Sequence, residues 1–394
     1  MIHRIVNPSK TLSFFLFGAR GTGKSTWLQE SFPADRHLWI DLTNPREERR
    51  YARRPEILLD EWRDLQKTRA SDLGQPNDDC WVVIDEVQKI PSILDAVHVG
   101  IQRHKIKFAL SGSSARKLKR GAANLLAGRA LSYRMHPFLY SELGDEFRLD
   151  DYLHWGGLPM IHGIESPLDR KKYLASYVDT YLREEIQIEQ LVRKIEPFRM
   201  FLDVVGQMNG EVINIAKISR ESGIDPKSGE RYFEILKDTL VGFYLPAFNR
   251  SIRQAQLQHP KFYLFDVGVA RAVRGELTLG LEPHTGPYGR CFEHFVIQQI
   301  IALNDYHGLD LRLSYLRTKD GNEVDLVIER PGKPLLFAEI KSTDRPEDLP
   351  LRSFRSLTLD AGAESVVICR VDRSVDLDGL RAVPWRQFLG ALVR

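Results

Sequence analysis

Apolar residues in the first third of the chain come in short, nearly unbroken runs. Ser13–Phe17 and Trp81–Ile84 are such runs, and His37–Leu42 and Lys107–Ser113 add two more. Continuous rather than alternating hydrophobicity marks strands buried on both faces, as in a parallel sheet. The spacing predicts an α/β layer of the doubly wound kind, while Arg46–Arg54, rich in arginine and glutamate, reads as a solvated helix face. The middle of the chain changes period. Asp150–Pro159 reads as a helix ending in a glycine stop. Lys171–Val192 reads as a longer helix with Tyr173, Tyr177, Tyr181 and Ile188 near one face, more plausibly core than a stacking platform. Beyond it the pattern predicts helix Tyr288–Leu303, strands Asp310–Arg317, Asn322–Glu329 and Leu335–Ser342, helix Pro346–Ala361 and strand Ser365–Val371.

A chain of 394 residues suits two or three domains, and 43% hydrophobic content is globular. The pattern divides at 1–140, 141–250 and 255–394. No apolar run approaches the roughly 20 residues of a membrane span. The apolar stretch Leu12–Phe17 is too short for a signal peptide and runs into a glycine loop, so it reads as core strand. Cys80, Cys291 and Cys369 lie far apart, which argues against a zinc site or disulfide framework and for a cytoplasmic location. The net charge of +3 is too small to announce a polyanionic partner. Its distribution says more: Ala96–Ser141 has no acidic residue but contains Arg103, Lys105, Lys107, Arg116, Lys117, Lys119, Arg120, Arg129 and Arg134. Such a block suits DNA or RNA contact, or a solvated surface with arginines serving a neighbouring subunit.

The first run leads into Gly18-Ala19-Arg20-Gly21-Thr22-Gly23-Lys24-Ser25, followed by Thr26 and a helix. This fits the phosphate-loop pattern at every fixed position. Glycines let backbone N–H groups curl around phosphates, and the helix aims its positive end at the same charge. Lys24 is expected to reach the β and γ phosphates of ATP, and Ser25 to bind Mg²⁺. About sixty residues on, Trp81–Ile84 delivers Asp85 and Glu86 to the carboxyl edge of a strand, where open α/β sheets bind ligands. Asp85 is expected at Mg²⁺ and Glu86 beside the attacking water. Ser111, Ser113 and Ser114 end another strand, either to sense the γ-phosphate or to cap a helix.

From Asp85-Glu-Val-Gln-Lys-Ile-Pro91, Leu110–Arg116 and Leu125–Ala130 onward, the chain resembles the prokaryotic AAA-type ATPases with a C-terminal domain of unknown function. Trp155-Gly-Gly-Leu-Pro159 and Lys261–Asp266 continue the resemblance, which covers most of the chain. It implies a homo-oligomeric ring, a hexamer first, in which an arginine completes the neighbour's site. Arg129 is the first candidate for that role and Arg116 the second, with a salt bridge the alternative for either.

Helix Ile213–Ile224, helix Pro226–Leu240 and strand Gly242–Phe248 follow the order of a winged helix. The second helix mixes Lys227, Arg231 and Lys237 with Glu230, Glu234 and Asp238, which favours a structural or protein-contact role over base reading. The α-β-β-β-α-β order of the last segment resembles the restriction-endonuclease fold. That resemblance places Asp325, Glu339 and Lys341 as a catalytic set and Glu293 as its helix-borne companion. Period two puts Glu339 and Lys341 on one face of a strand, where Asp325 and Glu339 could share Mg²⁺ and Lys341 could steady a phosphate. The domain reads as a nuclease, a DNA-holding relative or an assembly module. Two functional readings follow: a Mg²⁺-dependent ATPase acting on DNA, or a nucleotide-switched signalling ATPase with a protein-binding C-terminal domain. A scaffold in which ATP is structural is a third.

Overall fold

The computed structural model describes residues 2–73, 80–114, 126, 128–180, 195–249, 258–318 and 320–393. They form two compact units: Met1–Phe138 with Asp238–Leu240, and Leu139–Lys237 with Val241–Arg394.

In the first unit the apolar runs become strands β1 (Phe14–Phe17), β2 (Leu38–Asp41), β3 (Trp81–Asp85) and β4 (Lys107–Gly112). Helices α1 (Lys24–Ser31), α2 (Pro45–Arg53), α3 (Ile57–Leu73) and α4 (Ile93–His104) connect them. A fifth strand, β5 (Leu131–Arg134), completes a parallel sheet in the order β2-β3-β4-β1-β5. Both faces are buried, which is why the runs do not alternate. Phe15, Ile40, Val82, Ile84 and Leu110 share one core. Phe14 packs with Trp27, Phe32 and Trp81. Strand β5 has no counterpart in the sequence reading. It is an edge strand, and three of its four residues are exposed, so its apolar signal is weak. The arginine-rich segment is α2, solvated as expected except for the buried Tyr51 and capped by Asn44.

In the second unit, helix Leu149–Trp155 stops at Gly156, whose φ of 80° needs no Cβ. Helix Pro167–Ser176 carries Tyr173 and is closed by Tyr177, which is buried as expected of core. Tyr181 and Ile188 lie outside the described residues, as do Arg116, Lys117, Lys119 and Arg120. Helices Ile215–Glu221 and Pro226–Asp238 precede an antiparallel pair, β6 (Gly242–Leu245) with β7 (Lys261–Leu264). On the second of these helices Lys237 pairs with Glu234, so part of its positive charge is internally matched.

Six strands form the other sheet: β8 (Arg312–Arg317), β9 (Glu323–Glu329), β10 (Leu336–Ile340), β11 (Glu364–Cys369), β12 (Val375–Leu377) and β13 (Leu380–Pro384). Their order is β12-β13-β11-β10-β9-β8. β8, β9 and β10 run antiparallel, whereas β10, β11 and β13 are parallel. The hairpin β12–β13 and the closing helix Trp385–Leu392 extend the expected order by three short elements. The long helix Gly286–His307 is capped by Thr285, begins with Pro287 in its first turn and ends at Gly308 in the left-handed region. Phe147 packs on Phe295 and Trp385, which ties the start of this unit to its last helix.

Candidate functional site

Strand β1 ends at the glycine loop. Gly21 and Gly23 have φ of 77° and 93°, a conformation that L side chains rarely adopt. A Cβ on Gly18 would fall 2.4 Å from the Met135 carbonyl oxygen, so that position admits no side chain. Ala19 and Thr22 are buried, whereas Arg20 and Thr26 are exposed. Thr22 Oγ1 donates to the Ala19 carbonyl (2.8 Å), which tightens the loop. Arg4 Nη1 donates to the Thr22 carbonyl (2.7 Å), holding the loop from behind. Lys24, buried at the start of α1, donates to the Gly18 (2.8 Å) and Ala19 (3.1 Å) carbonyls, so its ammonium lies along the loop.

The carboxylates of β3 meet this loop. Asp85 accepts a hydrogen bond from Ser111 of β4, and the Ser25 hydroxyl lies near enough to pull its carboxyl down. Burial pushes the Asp85 carboxyl above its usual range, opposed by Ser111, Ser25 and the charge of Lys24. Glu86 sits in the left-handed region at φ 57°, uncommon for a residue with a Cβ. Its N–H donates to Ser111 Oγ (3.0 Å), and its Oε2 accepts from Ser113 Oγ (3.1 Å) and from Gln88 Nε2. The turn Val87–Lys89 brings Gln88 back beneath Glu86. Thus Ser111 and Ser113 bind the carboxylates of β3, while Ser114 Oγ donates to the Asp238 carbonyl (3.4 Å). Arg129 is exposed at the turn before β5. With the Gln102 amide set to satisfy both its ends, the amide oxygen accepts from Arg129 Nη2 (2.7 Å) and Nε (3.3 Å).

The second unit holds another cluster. Lys341 Nζ lies 3.1 Å from Asp325 Oδ2 and 2.8 Å from Glu339 Oε1, and the Ile340 N–H donates to Asp325 Oδ2 (2.8 Å). Burial and the neighbouring Asp325 push Glu339 up to about 7, against the pull of Lys341. Burial alone would lower Lys341, but Asp325 and Glu339 outweigh it and hold the ammonium above its ordinary value. Glu339 Oε2 is buried with no hydrogen-bond partner. Glu293 accepts from Tyr263 OH (2.7 Å) and pairs with Lys261 (3.5 Å), which also pairs with Glu323 (2.5 Å). Burial first and Asp325 second raise Glu293. All four expected residues therefore share one electrostatic neighbourhood, but Glu293 is tied to Lys261 and Tyr263 rather than directly to Lys341. Among the described residues, no group of three or more His, Cys, Asp or Glu side chains is arranged to hold a metal ion.

Arg4, Gln88 and Lys261 have no role in the sequence analysis. Gln88 lies inside the quoted Asp85–Pro91 motif, so a signal was present but its direction was not. Lys261 reaches Glu293 and Glu323 only through the pairing of distant elements, which no local pattern encodes. Conversely, Trp155-Gly-Gly and Asp266 turn out to be one structural joint. The buried Asp266 caps helix Val267–Val273 through the Val269 N–H (2.9 Å) and accepts from the Gly157 N–H (2.8 Å). A Cβ on Gly268 would fall 2.0 Å from the Trp155 carbonyl oxygen.

Residues 10–144 match a family model described as an AAA domain. The first unit is thus an AAA-type P-loop domain, a nucleotide-binding ATPase fold. Residues 146–284 and 288–388 match two models described as domains of unknown function, DUF8612 and DUF4143. The uncharacterized protein Rv2008c of Mycobacterium tuberculosis is 27% identical over 311 residues, 78% of this chain and 68% of its own. The uncharacterized protein MJ1544 of Methanocaldococcus jannaschii is 22% identical over 332 residues, 77% of this chain and 71% of its own. Among solved structures, the Aeropyrum pernix ORC1 protein in complex with DNA is 12% identical, covering 68% of this chain and 87% of that one, at a TM-score of 0.26. Among the described residues, no helix is long and apolar enough to cross a membrane.

Proposed function

We propose that this chain is a Mg²⁺-dependent ATPase that acts on DNA and carries a second, nuclease-like site in its C-terminal part. The observation that carries the ATPase reading is the Lys24 ammonium laid along a loop whose Gly18 admits no Cβ, with the Asp85 carboxylate held by Ser111 at the neighbouring strand end. Hydroxyl and carboxylate oxygens are the hard donors that suit Mg²⁺. Ser25 and Asp85 would hold the ion, which would neutralise phosphate charge there. Lys24 exchanges its loop carbonyls for phosphate oxygens, and the N–H groups at the start of α1 face the same charge. Glu86 orients the attacking water and accepts its proton. Arg129 leaves Gln102 to complete the site of a neighbouring copy in a homo-oligomer, a hexamer first.

A specific observation supports the C-terminal reading. Glu339 Oε2 is buried without a partner beside Asp325, an arrangement a cation would satisfy. Asp325 and Glu339 would hold the metal, while Lys341 remains to steady a phosphate. The mixed topology of β8 to β11 and the helix bearing Glu293 support a restriction-endonuclease-like core. The exposed Arg103, Lys105 and Arg134 of the acid-free segment support DNA as the polyanion. The test is ATP turnover with and without single-stranded, duplex and branched DNA, with cleavage followed in Mg²⁺ and Mn²⁺. DNA should stimulate turnover, and Asp325→Ala should abolish cleavage while turnover survives. Turnover indifferent to every DNA would favour the signalling reading, and no cleavage with either metal would remove the nuclease.

A further inference from the structure

Gln88 is 1% exposed, yet it is a polar side chain in the middle of the ATPase core. Its Nε2 donates to Glu86 Oε2 and to Ser113 Oγ (3.0 Å), and Ser113 Oγ itself donates to the same Glu86 oxygen (3.1 Å). Glu86 Oε2 is therefore gripped by two donors from different elements. Gln88 Oε1, in contrast, is buried with no hydrogen-bond partner. Turning the amide over would aim that oxygen at a carboxylate, so the orientation is fixed by the glutamate. Leaving one end of a buried amide unsatisfied is unfavourable, so a merely space-filling residue would be apolar here.

Two further features are built around this amide. Glu86 adopts the left-handed conformation, φ 57°, that starts the turn returning Gln88 beneath it. A Cβ on Gly112, at the end of β4, would fall 2.7 Å from Gln88 Oε1. The space for the amide therefore depends on a glycine in the neighbouring strand.

From this geometry we infer that Gln88 is a positioning residue for ATP hydrolysis: with Ser113 it clamps the Glu86 carboxylate in the orientation that serves the attacking water. The inference rests on the reading of Glu86 as the water-orienting group. It differs from a structural role in what it leaves alone, because Gln88 touches neither the glycine loop nor Lys24 in any bond described above.

Steady-state turnover, ATP affinity and thermal stability of the full chain test it together. Gln88→Ala should lower kcat about tenfold or more, with the ATP dissociation constant within about threefold and a melting temperature that stays well above that of the assay. Gly112→Ala, which displaces the amide without altering its chemistry, should shift kcat in the same direction; it serves as the second variant should Gln88→Ala fold poorly. In a Glu86→Gln background, Gln88→Ala should cost nothing more, because the group it positions is gone. Gln88→Ala at wild-type kcat, or losing ATP affinity in step with kcat, would overturn the assignment. So would an equal further loss on top of Glu86→Gln. Should Glu86→Gln itself turn over normally, the reading of Glu86 falls and takes this inference with it. An inactive Glu86→Gln beside a fully active Gln88→Ala removes the inference alone.

Discussion

Two pairs of carboxylates sit on strands or just beyond a strand end in this chain, and opposite partners wire them. Asp85 and Glu86 are held by uncharged groups: the hydroxyls of Ser111 and Ser113 and the amide of Gln88. Asp325 and Glu339 are held by an ammonium, that of Lys341. Hydroxyls and amides orient a carboxylate without cancelling its charge, so the first pair keeps its negative field for a cation. The lysine cancels about one charge of the second pair, which any incoming cation must compete with. The same residue type thus gives an open electrostatic site in one unit and a self-neutralised one in the other.

The largest test of this contrast is at Lys261, whose side chain is 5% exposed between Glu293 and Glu323. Lys261→Met should strand two carboxylates and cost about 4 kcal/mol of stability, read by denaturant unfolding. A loss below about 1 kcal/mol would mean that the acids relax to solvent.

Asp266 sharpens the comparison from a third direction, because neutral backbone N–H groups hold a fully buried carboxyl. Burial raises it from 3.8 to about 6. The folded state then keeps a proton that the unfolded chain releases, so this group's contribution is complete below pH 3.8 and is lost as pH rises through about 6. The stability difference between wild type and Asp266→Asn should fall by about 3 kcal/mol across that window. A flat difference would contradict the burial argument.

At the phosphate loop, Lys24→Ala should weaken ATP binding about a hundredfold, or about 2.7 kcal/mol, measured by titration with a fluorescent ATP analogue. The smallest effect is expected at Lys341, whose side chain is 37% exposed. Its ammonium is partly solvated and Glu339, raised to about 7, can take up a proton in its place, so Lys341→Met should change stability by about 1 kcal/mol or less, while the proposed DNA cleavage should be lost. A stability loss as large as that of Lys261→Met would make Lys341 a structural residue.

Much of this was readable in the chain because its signals are local. The glycine loop, the apolar runs of β1 to β4 and the Asp85-Glu86 step each lie within a few residues, and the backbone does most of the site's work. The spacing of Glu339 and Lys341 is equally local, since a strand puts alternate residues on one face. What could not be read depends on pairing between distant segments or on weak patterning. Strand β5 escaped because its exposed, half-polar residues gain their place only by pairing with β1. Hairpin β12–β13 is similarly short, and its first strand has no fully buried residue. Lys261 lies in an apolar strand that looks like simple core until Glu293 and Glu323 arrive from 32 and 62 residues further on. Trp155-Gly-Gly and Asp266 were visible as motifs, but their meaning as a packed joint needed the approach of Gly268 to the Trp155 carbonyl.

The central claim, that ATP is hydrolysed at the Lys24–Asp85–Glu86 edge, is tested most directly by Glu86→Gln. Nucleotide binding and single-turnover hydrolysis should be measured on the same preparation. The account predicts ATP affinity within about threefold of wild type and hydrolysis slowed about a hundredfold or more. Hydrolysis by Glu86→Gln at the wild-type rate would contradict it.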